Sequence, residues 1–427
     1  MYRLSYVKTL VAAVGLGTVA SGSARLLAPA GPGIVGVLIV VIGWSVSLIA
    51  AVVATGAIVA LYRDHAQARG GMDLFNASNE SRSENALTAG RPGFGILLRR
   101  LWRRILGGQW LLVGDVVEIR SLDEVRSTLD ASGRLDGLPF MPEMAALCGR
   151  RAVVFRGVDK IYDYGRSKTL RRLGDGVLLA GFRCDGSAHG GCQASCYLLW
   201  KRAWLRPVAA GGCARAPSGY AAPAVSREST PSPGRYTCQY TELAAASTPL
   251  KRWDIRQDVR PLVTGNVTLG AFWVAILTRL FNAAQAARGG VGYPGMARGT
   301  GRSIGSAGPS LAPGDTVRVL PAEAIVATLN HQWRHRGLWF DRDMVKHCGR
   351  RYTVLRRVER IIDDATGLML EMKTPCLVLA GAEASGEFLR FCAQHEYPFW
   401  RDVWLSREAD PAPARHHRAW SRTAPGA

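Results

Sequence analysis

Gly114-Asp-Val-Val-Glu-Ile-Arg-Ser-Leu-Asp-Glu-Val125 and Gly314-Asp-Thr-Val-Arg-Val-Leu-Pro-Ala-Glu-Ala-Ile325 open two stretches that are one sequence written twice. At an offset of 200 and without a gap, Gly114–Leu205 and Gly314–Leu405 agree at 29 of 92 positions. Cys148-Gly-Arg-Arg151 recurs as Cys348-Gly-Arg-Arg351, Leu179-Ala-Gly181 as Leu379-Ala-Gly381, and Trp200, Trp204 and Leu205 as Trp400, Trp404 and Leu405. Duplication of one unit accounts for this, and the unit must form its own core.

The unit reads as mainly β with short helices. A Gly-Asp turn opens a strand over Val116–Arg120. Ser121-Leu-Asp-Glu124 has capping-box spacing and starts a helix through Leu129. Ala152–Ile161 and Val177–Gly181 read as a second and third strand, and Leu199–Pro207 as a fourth. So many short strands in a small unit predict an SH3-like barrel, giving two tandem barrels at 114–207 and 311–406. Asp163 and Asp363, at equivalent strand ends, read as turn formers. Gly165–Arg171, a basic loop that the second copy lacks, reads by default as a solvated charge run, with contact to phosphate or lipid headgroups as the alternative.

Between the units, 208–235 reads as a flexible linker rich in Pro, Ala, Gly and Ser. Residues 236–310 read as a helical connector followed by a Gly-rich linker. That linker holds Gly290-Val-Gly-Tyr-Pro-Gly295, a glycine pattern with no strand before it and hence no nucleotide loop. The tail 407–427 reads as disordered.

Ahead of the units, Gly33–Tyr62 runs without a charge and is long enough to span a bilayer, with residues 9–29 as a second span if the segment is a hairpin. Residues 1–69 therefore read as a membrane anchor and 70–113 as a linker with a basic amphipathic helix at Phe94–Trp110. Arg63, Arg69, Arg91, Arg99, Arg100, Arg103 and Arg104 follow the span, against Arg3 and Lys8 before it. This asymmetry predicts a cell inner membrane protein with its bulk in the cytoplasm, its basic helix on the anionic inner leaflet. The formal charge of +21 fits that partner. Nucleic acid, the other acidic partner such a charge allows, is disfavoured for want of interleaved stacking aromatics.

The densest chemistry lies at Cys184-Asp-Gly-Ser-Ala-His189-Gly-Gly-Cys192-Gln-Ala-Ser-Cys196, with Cys148 as the natural fourth thiolate. Cys148, Cys184, His189, Cys192 and Cys196 are the candidate metal ligands: thiolates and imidazole suit zinc, and an all-cysteine set suits an iron–sulfur cluster. Buried inert thiols, disulfides and a Cys nucleophile beside His189 remain open readings. In the second copy Cys184, His189 and Cys196 become Ala384, Leu389 and Glu396, so no equivalent four-ligand site exists there. A rearranged set of Cys348, Cys376, Cys392 and His395 is the alternative.

Gly137-Leu-Pro-Phe-Met-Pro-Glu-Met144, Cys148-Gly, Arg183–Cys196, Leu370–Cys376 and Tyr397–Leu405 together resemble a bacterial family of hypothetical proteins over roughly residues 110 to 406. Its members lie near glycosyltransferase and other biosynthetic genes, so the resemblance implies a role in such an assembly and names no activity. The chain departs from that pattern at Ala384, where the family carries Cys. With no recognisable catalytic set, the expectation is a membrane-anchored, non-enzymatic binding or scaffold protein with one metal-stabilised barrel. A redox or thiol-dependent enzyme component using Cys184–Cys196 is the second reading, and a nucleic-acid-binding protein the third.

Overall fold

A computed structural model describes residues 111–208, 234–251, 253–254, 256–296, 299 and 308–408. The span at 33–62, the basic helix at 94–110, most of the first linker and the tail lie outside them. Among the described residues no helix is long and apolar enough to cross a membrane.

The first copy runs β1 (Val116–Ile119), α1 (Leu122–Arg126), β2 (Arg134–Leu135), β3 (Leu138–Pro139), α2 (Pro142–Ala145), β4 (Arg151–Tyr162), β5 (Leu170–Arg183), β6 (Tyr197–Lys201), a 3-10 turn (Arg202–Trp204) and β7 (Leu205–Pro207). Its antiparallel sheet has the order β6-β5-β4-β1-β7, so the last strand returns to the first. Gly114, at φ +89°, supplies the turn into β1, and the Asp115 carboxylate accepts the Leu112 N–H at 2.9 Å. The capping box forms as the spacing predicts: Ser121 Oγ accepts from Glu124 N, and Glu124 Oε2 accepts from Ser121 N at 3.0 Å. The Trp-rich segment read as one strand is two, broken at the 3-10 turn, because Trp204 turns inward there and donates its Nε1–H to Thr128 Oγ1 at 3.1 Å.

A connector follows: β8 (Thr248–Pro249), α3 (Arg256–Val263) and α4 (Leu269–Ala287). It is less a linker than a second wall of the first copy. β8 pairs with β5, and Gln239 caps β6 by accepting Leu199 N at 2.7 Å and donating to Leu199 O at 2.9 Å. The Asn266 amide brackets Gly157 of β4 in the same way, at 2.8 and 2.7 Å. β4 is consequently buried along almost its whole length. The glycine-rich stretch read as linker is also anchored, since Tyr293 is buried and its backbone N–H and C=O both meet the Asn282 amide.

The second copy repeats the plan with β9 (Thr316–Val319), α5 (Ala322–Ala327), β10 (Arg334–His335), β11 (Leu338–Trp339), β12 (Arg351–Ile362), β13 (Met369–Leu379) and β14 (Leu405–Arg407). β9 meets β12 and β14 at partners offset by 200 from those of β1 with β4 and β7. The counterpart of β6 shrinks to a single bridge, Leu377 to Trp400, and Pro398 stands at the place of Leu198. The gapless alignment hides one compensated shift. The hairpin loop is 163–169 in the first copy but 363–368 in the second, and the bulge that restores register is 173–175 against 372–375.

The shared residues are those that make the core. Phe140 sits edge-on to Trp204 and Trp200, with centroids 5.2 and 6.3 Å away, and Phe340 does the same to Trp404 and Trp400 at 5.5 and 6.4 Å. Trp404 also donates to Thr328, at 2.9 Å. Asp163 and Asp363 close their hairpin turns as predicted, accepting from Gly165, Arg166 and Ser167 N–H and from Ala365 N and Thr366 Oγ1 respectively.

The copies face each other about a pseudo-twofold axis. Arg183 lies on it, its guanidinium 3.8 Å from the Tyr197 ring centroid and 4.0 Å from that of the equivalent Tyr397. Ile362 N–H donates to Cys192 Sγ at 3.4 Å, and Tyr162 N–H to Cys392 Sγ. Each copy thus rests its β-hairpin on the loop of the other that follows β5 or β13.

Candidate metal centre and the opposed cavity

Those two loops, 184–196 and 384–396, are the functional candidates, and their backbones are the same. His189 and Gly191 N–H both bond Gly186 O at 3.0 Å, as Leu389 and Phe391 bond Gly386 O at 3.0 and 2.8 Å. Cys184 N meets Cys196 O at 2.8 Å, as Ala384 N meets Glu396 O. A glycine is required at the loop start, because a Cβ on Gly186 or Gly386 would lie 2.0 or 2.1 Å from the carbonyl oxygen of Cys192 or Cys392. In the second copy Arg390, Phe391 and His395 hold left-handed φ values of 51°, 61° and 50°. The loop therefore keeps its shape without Cys184, His189 and Cys196, at some backbone strain.

In the first copy the loop closes on a cavity of about 30 Å³ lined by Glu143, Cys184, His189, Cys192, Cys196, Cys238 and Asp364, among others. One ligand atom each from Glu143, Cys184 and His189 lies within 4.8 Å of the others, so this triad can hold a metal ion. His189 Nε2 is 3.1 Å from Glu143 Oε1, and both side chains are almost wholly buried. Glu143 Oε2 and His189 Nδ1 have no hydrogen-bond partner. Each buried polar group left so costs about 1–3 kcal/mol; a cation drawing on the carboxylate would relieve part of that. Burial, helped by the Glu143 charge, pushes the Cys184 thiol far up. Burial raises Cys196 likewise and takes Cys238 to about 12. Without a metal these thiols are protonated at neutral pH.

Of the residues singled out from sequence, Cys184, His189, Cys192 and Cys196 come together at this cavity. Cys148 does not. Its thiol packs on the first core, 3.9 Å from Met144 O. Glu143 and Cys238 take the place expected for it. Glu143 was visible only as part of the Pro-Glu-Met string, and Cys238 only as a lone cysteine in the connector. Neither has a spacing that marks a ligand. The rearranged set in the second copy also falls apart: Cys348 packs on the core, Cys376 sits in a cluster with Val358 and Val378, and only Cys392 and His395 reach the loop cavity.

That cavity, the pseudo-symmetric counterpart of the first, is about 590 Å³. Asp341 and Asp343 replace Met141 and Glu143, Glu396 replaces Cys196, and Tyr162 and Tyr164 from the opposite hairpin stand where Ile362 and Asp364 stand in the first. α4 closes one side with Ala275, Thr278 and Asn282. Burial, reinforced by Asp364 and Asp341, raises Glu396 to about 8, whereas the Asp341 carboxylate is exposed and accepts from the Asp343 and Met344 N–H groups at 2.8 and 3.1 Å. Asp343 is instead held low: Lys346 lies 3.3 Å from it, and Ser385 donates to it from both N–H and Oγ. Burial holds the His395 imidazole neutral at neutral pH.

No family model, no curated protein and no solved structure matches the chain. The functional reading accordingly rests on these two loops.

Proposed function

We propose that the protein is a membrane-anchored, non-enzymatic binding scaffold of two SH3-like barrels, the first braced by one zinc ion. The observation that carries the metal is the buried convergence of Glu143, Cys184 and His189, with Glu143 Oε2 and His189 Nδ1 left without a hydrogen-bond partner. The second copy supports it by contrast: the same loop folds without those side chains, so their presence in the first copy answers a different need. Mixed carboxylate, thiolate and imidazole donors favour zinc, and about 30 Å³ suits a single ion better than an iron–sulfur cluster. Cys196 and Cys238 are the available fourth ligands. With Cys238 engaged, the ion would tie the connector to the first barrel, which is structural work. The strand order β6-β5-β4-β1-β7, with a 3-10 turn before the strand that returns to β1, supports the SH3-like assignment. The apolar run at 33–62 and the arginines behind it support the inner-membrane, cytoplasm-facing placement. Trp253 and Trp273, exposed on the connector, suit the headgroup level of that membrane. A nucleophilic role for the thiols is disfavoured, because burial keeps Cys184, Cys196 and Cys238 protonated.

Metal content of the full-length chain purified in detergent tests this. The expected result is near one equivalent of zinc, lost in Cys184→Ser and in His189→Ala and retained in Cys148→Ser. A folded chain without metal would overturn the zinc reading. One equivalent retained in both the Cys184 and His189 variants would place the ion elsewhere.

A further inference from the structure

Four charged side chains around the cavity of the second copy have neither an ion-pair partner nor a ring beneath them among the described residues: the acids Asp341 and Glu396, and the bases Lys168 and Arg342. The other charges there are committed. Asp343 is held by Lys346 and Ser385, Arg279 by Asp258 at 3.0 Å, and Arg334 lies over the Trp339 ring at 5.1 Å. Opposite charges that share a cavity without approaching within a salt-bridge distance are separated by the space between them. Aromatic surface lies around that space: Tyr164 stacks obliquely on Tyr162, centroids 4.6 Å apart, and Tyr164 and Trp339 are both substantially exposed.

A metal ion does not fit. Among the described residues the only three-ligand cluster is the one in the first copy, so the carboxylates here do not converge on a point. A volume of about 590 Å³ is that of a pocket for an organic molecule. The chemistry on its walls calls for one positive and one negative end. An ammonium would meet Glu396 and Asp341 beside an aromatic face, where a desolvated cation gains most. A carboxylate would meet Lys168 and Arg342 at the outer rim. The raised Glu396 carboxyl agrees with this: burial outweighs the opposing Arg183 charge there, and a nearer cation would hold it ionised.

We propose that this cavity binds a small zwitterion, an α-amino acid or a compound of that kind, with its ammonium toward Glu396 and Asp341 and its carboxylate toward Lys168 and Arg342. The site uses both copies, because Lys168 and Tyr164 come from the hairpin of the first. The proposal rests on the binding-scaffold reading and names the class of ligand.

Isothermal titration of the full-length, zinc-replete chain with each of the common amino acids, and with butylamine, butyrate and glucose, tests it. At least one amino acid is expected to bind more tightly than all three single-function probes. Glu396→Gln should weaken it about tenfold or more, as loss of a charged hydrogen-bond partner does. Lys168→Met should weaken it by about threefold or more, being a more exposed contact. Absence of binding by every amino acid, binding of butylamine or glucose as tight as the best amino acid, or unchanged affinity in both variants would overturn it. Zinc content, measured on the same samples, separates the outcomes: ligand binding can fail while the metal remains, and the metal can be absent while the cavity binds.

Discussion

Replacing Arg183 by Met should loosen the two copies from each other. The guanidinium sits between the rings of Tyr197 and Tyr397, donates to Ser195 O at 3.0 Å and His395 O at 3.3 Å, and lies 3.9 Å from Glu383. Its side chain is 15% exposed, so solvent screens these contacts little. Each cation–π contact is worth about 0.5–2 kcal/mol. Each hydrogen bond from the charged group adds about 1.5–3 kcal/mol. These terms share one group and do not add. Removing one partner of a buried charge network costs about 3–5 kcal/mol, and that is the expected loss for Arg183→Met. Arg183→Lys should recover less than half, since an ammonium keeps the charge but neither stacks flat between two rings nor bridges both carbonyls. Urea unfolding of the two variants beside the parent, followed by tryptophan fluorescence, measures this; the midpoint should fall and the transition broaden as the copies melt separately. A loss below about 1 kcal/mol for Arg183→Met, the level of an ordinary surface change, would refute the reasoning.

Gly386→Ala should be far more damaging than Gly381→Ala, although both glycines have left-handed φ, because a Cβ at 386 meets the Cys392 carbonyl oxygen at 2.1 Å while that at 381 enters open space. Thermal melts should show a loss of about 1 kcal/mol at 381 and several times that at 386; equal losses would mean that the loop yields. Glu396, at about 8 when folded against an ordinary value of 4.5, holds in the folded state a proton that the unfolded chain has released. Its contribution to stability therefore falls as pH rises through that window, and Glu396→Gln should gain on the parent between about pH 5 and about pH 9 in thermal melts. A difference that does not change with pH would show that Glu396 titrates normally.

What was legible in the sequence was what repeats in the sequence. Phe140, Thr128, Trp200 and Trp204 reappear in the second copy because both cores require the same shapes, so an offset comparison finds them. The cap at Ser121 and the turn at Asp163 were legible because backbone groups within four residues satisfy them. The split of the Trp-rich segment was not, since the inward turn at Trp204 is set by Thr128, far along the chain. The metal candidates were half legible. Cys184, His189, Cys192 and Cys196 lie on one loop, whereas Glu143 and Cys238 reach it from α2 and from the connector, and no local spacing records that meeting. The opposed cavity was invisible for a further reason. Its walls come from two copies, a connector helix and a hairpin whose length differs by a residue between the copies, and only the folded chain juxtaposes them.

The reciprocal contact of Cys192 with Ile362 and Cys392 with Tyr162 has an evolutionary consequence. In a pair of identical single units joined by such a contact, every substitution in the loop would strike both halves at once. Joining the halves in one polypeptide releases that constraint. The two loops are then free to differ, and they do: Cys184 and Cys196 in one stand opposite Ala384 and Glu396 in the other, around cavities of about 30 and 590 Å³.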